Sequence, residues 1–129
     1  MNPENLRFAE THEWACLGGG TVVVGLSAYA VEQLGDIVYI ELPAVGAVVA
    51  KGKPFGVIES VKAASDLYAP VTGSVVEVNS DIAASLDAFK TDPYGAAWLI
   101  KVSPAKTAEL DSLMNAKGYD AFCKAQGEH

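Results

Sequence analysis

Phe55-Gly56-Val57-Ile58, then Glu59-Ser60-Val61-Lys62-Ala63-Ala64-Ser65-Asp66, then Leu67-Tyr68-Ala69-Pro70 is the stretch around which the chain is organised. Two apolar, strand-like runs enclose a small polar centre holding a single lysine, the pattern of a β-hairpin. A lysine at such a tip projects away from the body. Its neighbours Ala63, Ala64 and Ser65 are too small to obstruct an approaching protein. Such a lysine suits modification inside another enzyme's active site. A competing reading makes it an ordinary solvated charge that guards an exposed strand. A third makes Lys62 a catalytic amine, which requires desolvation or a nearby cation to lower its pKa. Glu59 and Asp66, its acidic neighbours in sequence, favour the protonated form instead and argue against Schiff-base chemistry.

The flanking sequence reads as many short strands with glycine and proline punctuation, the signature of a β-sandwich or flattened barrel. Leu6 to Ala9 and Glu13 to Leu17 are short strand candidates. Gly18-Gly19-Gly20 then turns the chain into Thr21 to Leu26. Ser27 is placed to cap a short helix carrying Ala30, Val31 and Leu34 on one stripe, with Gly35 as its stop. In the strand from Asp36 to Leu42, alternation puts Val38, Ile40 and Leu42 on one face and Ile37, Tyr39 and Glu41 on the other. Pro43 ends it, and Val45 to Val49 is a further strand. Asn79 to Thr91 carries a loose helical stripe at Ile82, Leu86 and Phe89. Trp98 to Val102 reads as the last strand. Ser103-Pro104 has the form of an N-cap and first helical residue, predicting a helix with Leu110, Leu113 and Met114 as its stripe and Gly118 as its stop. Tyr119, Phe122 and Cys123 mark a second helix.

Composition bounds the function. At 129 residues the chain fits one domain able to bury roughly two-thirds of its unfolded surface. A net charge of −7 opposes binding to nucleic acid or an anionic membrane and steers the chain toward basic partners. Cys16 and Cys123 form no CxxC or metal-ligand spacing, so the expectation is two reduced thiols. His12 and His129 are the only histidines and support no metal cluster; a structural or hydrogen-bonding role is expected for His12. The N-terminal residues lack the features of a signal or transit peptide, and no apolar run approaches the ~20 residues of a membrane span. The expected location is the bacterial cytoplasm, or the mitochondrial matrix for a processed eukaryotic form.

The segment Glu59 to Tyr68 resembles the lipoylation segment of the glycine cleavage system H-protein family. His12-Glu13-Trp14, Leu34-Gly35-Asp36-Ile37-Val38 with Glu41-Leu42-Pro43, Gly73 to Asn79, Asp92-Pro93-Tyr94-Gly95 and Trp98 to Lys101 resemble that family in order and spacing. The resemblance implies a mainly β fold of the lipoyl/biotinyl-carrier type, a flattened barrel/sandwich hybrid with short N-terminal strands and C-terminal helices. It implies one domain over 1–129, with 21–103 as carrier core and 104–129 as a helical segment packed on it. It also implies lipoic acid amidated to Lys62 by a lipoate ligase or transferase, with Glu59 and Gly73 as recognition contacts. The expected role is that of a non-catalytic, monomeric carrier. Its lipoyl arm takes the aminomethyl group of glycine from the PLP-dependent P protein to the aminomethyltransferase T protein and is reoxidised by the L protein, a dihydrolipoamide dehydrogenase. Thr11, Glu13 and Asp66 are the expected shelter for the amine of the loaded arm.

Biotinyl carriers have Met-Lys-Met at the tip, which the neighbours Val61 and Ala63 do not match. Carrier domains of 2-oxo acid dehydrogenases resemble Asp-Lys-Ala and lack the His-Glu-Trp start. A lipoyl relay serving other enzymes stays open. The chain departs from the family pattern in Asp87-Ala88-Phe89-Lys90-Thr91, which lacks the usual Leu-Val-Asn, and at Ala97, where a glycine is usual.

Overall fold

A computed structural model describes residues 5–127. Among the described residues, ten strands and three α-helices follow one another as β1 (Arg7–Phe8), β2 (Glu13–Gly18), β3 (Thr21–Leu26), α1 (Ala28–Leu34), β4 (Ile37–Glu41), β5 (Val48–Val49), β6 (Pro54–Ser60), β7 (Ala64–Tyr68), β8 (Gly73–Val78), α2 (Ala88–Thr91), β9 (Ile100–Pro104), β10 (Met114–Asn115) and α3 (Ala116–Gly127). Every pairing is antiparallel. One sheet runs β10-β1-β2-β3-β9-β8-β5, and a three-stranded sheet runs β4-β6-β7. The architecture is mainly β with peripheral helices, as the strand rhythm predicts.

The two sheets share a core: Val22, Val24, Val75 and Val102 from the larger one pack in a single cluster with Ile40, Ile58 and Leu67 of the smaller. A second cluster joins Leu6, Phe8 and Trp14 to Tyr119 and Cys123 of α3. The rings of Phe8 and Tyr119 stack there at 4.4 Å and 7°.

α1 begins and ends where its sequence indicates. Ser27 Oγ accepts from the Ala30 N–H at 3.2 Å, and Gly35, at φ +82°, donates its N–H to Val31 O at 3.0 Å. In β4 the expected alternation fails. A register shift between Ile37 and Tyr39 puts Ile37 and Ile40 inside and leaves Val38 54% exposed, because a bulge breaks the period of two. The strand expected over 45–49 shrinks to β5, since Ala44 to Ala47 form a turn closed by the Ala47 N–H donating to Ala44 O at 3.1 Å, with Gly46 at φ +94°.

The helix expected from Pro104 does not form. Ser103 and Pro104 stay in β9, opposite Ser74 and Gly73 of β8. The following residues make a 3-10 turn over Thr107–Ser112. Glu109 holds that turn down, its carboxylate accepting from Thr72 N at 2.8 Å and Thr72 Oγ1 at 2.9 Å. Trp98–Val102 is not the last strand either, because β10 pairs with β1 at the far edge. Asn115 then caps α3 by accepting from the Gly118 N–H at 2.8 Å, so Gly118 lies inside the helix it was expected to end.

Candidate functional site

The lysine hairpin is longer and tighter than its apolar runs suggest. β6 and β7 pair from Pro54 opposite Tyr68 up to Glu59 opposite Ala64. Ser60 and Ala63 close the turn: Ser60 N–H donates to Ala63 O at 2.8 Å, while Ser60 Oγ accepts from the amides of Lys62 and Ala63 at 3.1 and 3.2 Å. Val61 N–H donates to Asp36 O at 3.0 Å, tying the tip to the body. These bonds hold the four amides from Ser60 to Ala63, while the side chains around them face solvent. Val61, Lys62, Ala63, Ala64, Ser65 and Asp66 are all exposed.

Beside β7 lies a cleft of about 160 Å³ that brings Thr11, Glu13, Ser65 and Asp66 into one lining. Its apolar wall comes from Leu26, Ile58 and Leu67, and α1 closes the remaining side with Tyr29, Ala30, Gln33 and Leu34. The structure thus joins the three expected shelter residues, Thr11, Glu13 and Asp66, although Asp66 lies more than fifty positions from the other two. Glu59 is half-buried on β6. Gly73 sits elsewhere: it is buried in β8, and a Cβ there would meet Ser103 O at 2.1 Å. The close approach of β9 by itself requires a glycine at this position.

Glu13 is the unusual group. It is 1% exposed, and burial raises its carboxyl from the ordinary 4.5 to about 7. Two donors work against that rise, Thr11 Oγ1 to one carboxyl oxygen and the Tyr68 N–H to the other at 3.1 Å. The backbone aims it inward because His12 adopts φ +81°, a conformation that costs a non-glycine residue about 1–3 kcal/mol. His12 is held in that conformation from several directions. Its N–H donates to Ala9 O, its carbonyl accepts from Ser27 N–H, and its Nδ1 lies 2.6 Å from Tyr119 Oη. The same phenol lies 2.6 Å from Ser27 Oγ, the cap of α1. Burial lowers the His12 pKa and raises that of Tyr119. Trp14, next along, is fully buried, with its indole N–H donating to Pro93 O at 3.1 Å and its ring against Gly25.

Sequence reasoning missed Tyr68, Ser60 and Tyr119. Tyr68 contributes a backbone donor, which no side-chain pattern advertises. Ser60 carried a local signal, a small hydroxyl directly before a turn. In sequence, Tyr119 is one member of a helix stripe, and nothing local marks its hydroxyl as the partner of His12 and Ser27.

Comparison with known proteins gives this geometry a family. The model of the glycine cleavage H-protein family matches residues 6–126. A glycine cleavage system H protein of a Synechococcus strain is 52% identical over 95% of both chains, and that of Carboxydothermus hydrogenoformans is 47% identical over 98% of this chain and 97% of its own. The crystal structure of a glycine cleavage system H protein from Mycobacterium marinum superposes with a TM-score of 0.84 at 37% identity, covering 98% of this chain and 99% of that one. The chain belongs to the glycine cleavage H-protein family.

Proposed function

We propose that Lys62 carries lipoic acid in amide linkage and that the chain is a non-catalytic carrier in glycine cleavage. The observation that supports this most directly is the exposed Lys62 on a hydrogen-bonded hairpin tip, next to a cleft whose polar end is Thr11, Glu13 and Asp66. The residues present fit the group. The tip offers a lysine flanked by small side chains, and the cleft has an apolar wall for a hydrocarbon arm. When bound, lipoic acid supplies a dithiolane that receives the aminomethyl group of glycine at the P protein, yields it at the T protein and is reoxidised at the L protein.

The chain's own residues present, shelter and exclude water. Amidation removes the Lys62 charge, so the arm leaves the surface without the desolvation cost of an ammonium. Thr11, Glu13 and Asp66 form an acceptor set for a cationic arm end. A cation beside Glu13 favours its ionised form, so the carboxyl, near 7 when alone, releases a proton as the cation arrives. Glu59 is the contact for the lipoate ligase or transferase. The chain acts as one carrier domain over 1–129, with 21–103 as its core and 104–129 packed on it, a monomer of the bacterial cytoplasm that visits each partner. Among the described residues no helix is long and apolar enough to cross a membrane.

The test is the intact mass of protein from lipoate-replete cells. A lipoyl increment lost in Lys62→Arg is expected; a biotinyl increment, or none, overturns the reading. With a P protein present, the lipoylated form should support glycine-dependent bicarbonate exchange. Glu13→Ala and Asp66→Ala should shorten the lifetime of the loaded form.

A further inference from the structure

Asn79 follows β8 and is 7% exposed, yet only half of its side-chain amide is used within the chain. Its Nδ2 donates to Ala96 O at 3.0 Å and to Trp98 O at 2.6 Å. Those two carbonyls fix which way the amide points, since the reversed amide would set oxygen against oxygen. Oδ1 is left with no hydrogen-bond partner among the described residues. None of those residues seals an unpaired side-chain polar atom away from solvent, so Oδ1 is open to it. The opening is a recess of about 310 Å³ lined by Asn79, Asp81, Ser85 and Trp98, with Ala88 and Ala96 as apolar surface.

What lines the recess is rich in acceptors. Beside Oδ1 stand the Asp81 carboxylate and the Ser85 hydroxyl, both exposed, and Asp81 enters no ion pair among the described residues. The half-buried indole of Trp98 adds a π face. It already draws the Lys101 ammonium to 5.0 Å of a ring centroid, so the ring attracts cations in this setting. Lys101 is itself met by Glu77 at 3.3 Å, and among the described residues no lysine or arginine lines the recess. An anion there would face Asp81 with only the Ser85 hydroxyl to donate to it. A hydrocarbon would strip water from Oδ1 and give nothing back. A cation bearing several N–H donors satisfies the amide oxygen and the carboxylate together.

We propose that this recess receives the ammonium or guanidinium of a lysine or arginine side chain presented by a partner protein, with Asn79 Oδ1 and the Asp81 carboxylate as acceptors and Trp98 as the π wall. The net charge of −7 steers a basic surface toward the chain. The recess shares no lining residue with the cleft beside β7, so the contact draws on none of the cleft's groups and does not depend on the carrier reading. Two departures from the family pattern border it: Ala88 belongs to the 87–91 segment, and Ala97 falls between the lining residues Ala96 and Trp98.

The experiment follows 1H–15N spectra of the unmodified protein as Nα-acetyl-lysine methylamide is added. Parallel titrations use the arginine analogue, the uncharged norleucine analogue and free glycine. Saturable shifts of the Asn79 side-chain NH2, the Ser85 amide and the Trp98 indole N–H are expected with the lysine or arginine probe. The norleucine analogue should give none, and neither should glycine, whose carboxylate would meet Asp81. Asn79→Ala would also release the loop it clips at Ala96 and Trp98, so the variant of choice is Asp81→Asn, at an exposed position. It should weaken binding of the cationic probes roughly two- to fivefold. No saturable shift with either cationic probe, an equal response to the norleucine analogue, or an affinity unchanged in Asp81→Asn overturns the proposal. Glycine binding as tightly as the lysine probe would assign the recess to a free amine and overturn the partner contact.

Discussion

The hairpin tip and the segment Thr11 to Trp14 face the same cleft under opposite physical rules. At the tip, Val61 to Asp66 are all exposed, and the fold holds the turn through its backbone amides and the Ser60 hydroxyl. In the other segment Glu13 is 1% exposed and Trp14 fully buried, and His12 bends through a left-handed conformation to place them. One region is built so that its side chain is reachable, the other so that its carboxyl is not solvated. The difference separates function from stability: substitutions at the tip should erase modification and leave the fold intact, whereas those around Trp14 should do the reverse.

Trp14→Ala is the strongest way to break that contrast. It empties a fully buried site and should cost about 3–5 kcal/mol in chemical denaturation. A loss below ~1 kcal/mol would put the second core on a par with the tip. Next comes pH. The Glu13 carboxyl is raised from 4.5 to about 7, so the folded state holds a proton that the unfolded chain has released. Its contribution is therefore fully present below pH 4.5 and is lost as pH rises through about 7, on the order of 3 kcal/mol in all. Stability curves of the native protein and Glu13→Gln should diverge in slope across that window; parallel curves would show Glu13 ionised and solvated.

Gly25→Ala is the third probe, since its Cβ would come within 2.3 Å of the Trp14 ring, and overpacking of that kind costs about 1–3 kcal/mol. Ser60→Ala, which removes the acceptor for two tip amides, should cost about 1 kcal/mol and speed amide exchange at Lys62 and Ala63. The smallest effect on stability sharpens the contrast most. Lys62→Ala should shift the denaturation midpoint by no more than ~0.5 kcal/mol while abolishing the lipoyl mass increment.

What could be read from the sequence follows the same division. The hairpin and α1 are local objects, specified by apolar runs around a small polar turn and by Ser27 and Gly35 at the ends of one stripe. Both appear where those signals put them. Val38 and Pro104 defeated the reading because nonlocal partners decide there. A bulge opposite β6 inverts the alternation of β4, and pairing with β8 keeps Ser103 and Pro104 in a strand although they resemble a helix start. The cleft was the least legible part. Nothing local links Glu13 to Asp66 or to the amide of Tyr68, and only the family resemblance placed the carboxylates together.

The phenol of Tyr119 touches both the His12 ring and the Ser27 hydroxyl. It thereby works as a keystone between the bend that aims Glu13 and the helix that walls the other side of the cleft. A side chain outside the cleft lining thus braces two of its walls at once, so loss of that one hydroxyl should loosen the spacing of Glu13 and α1 before it unsettles the fold.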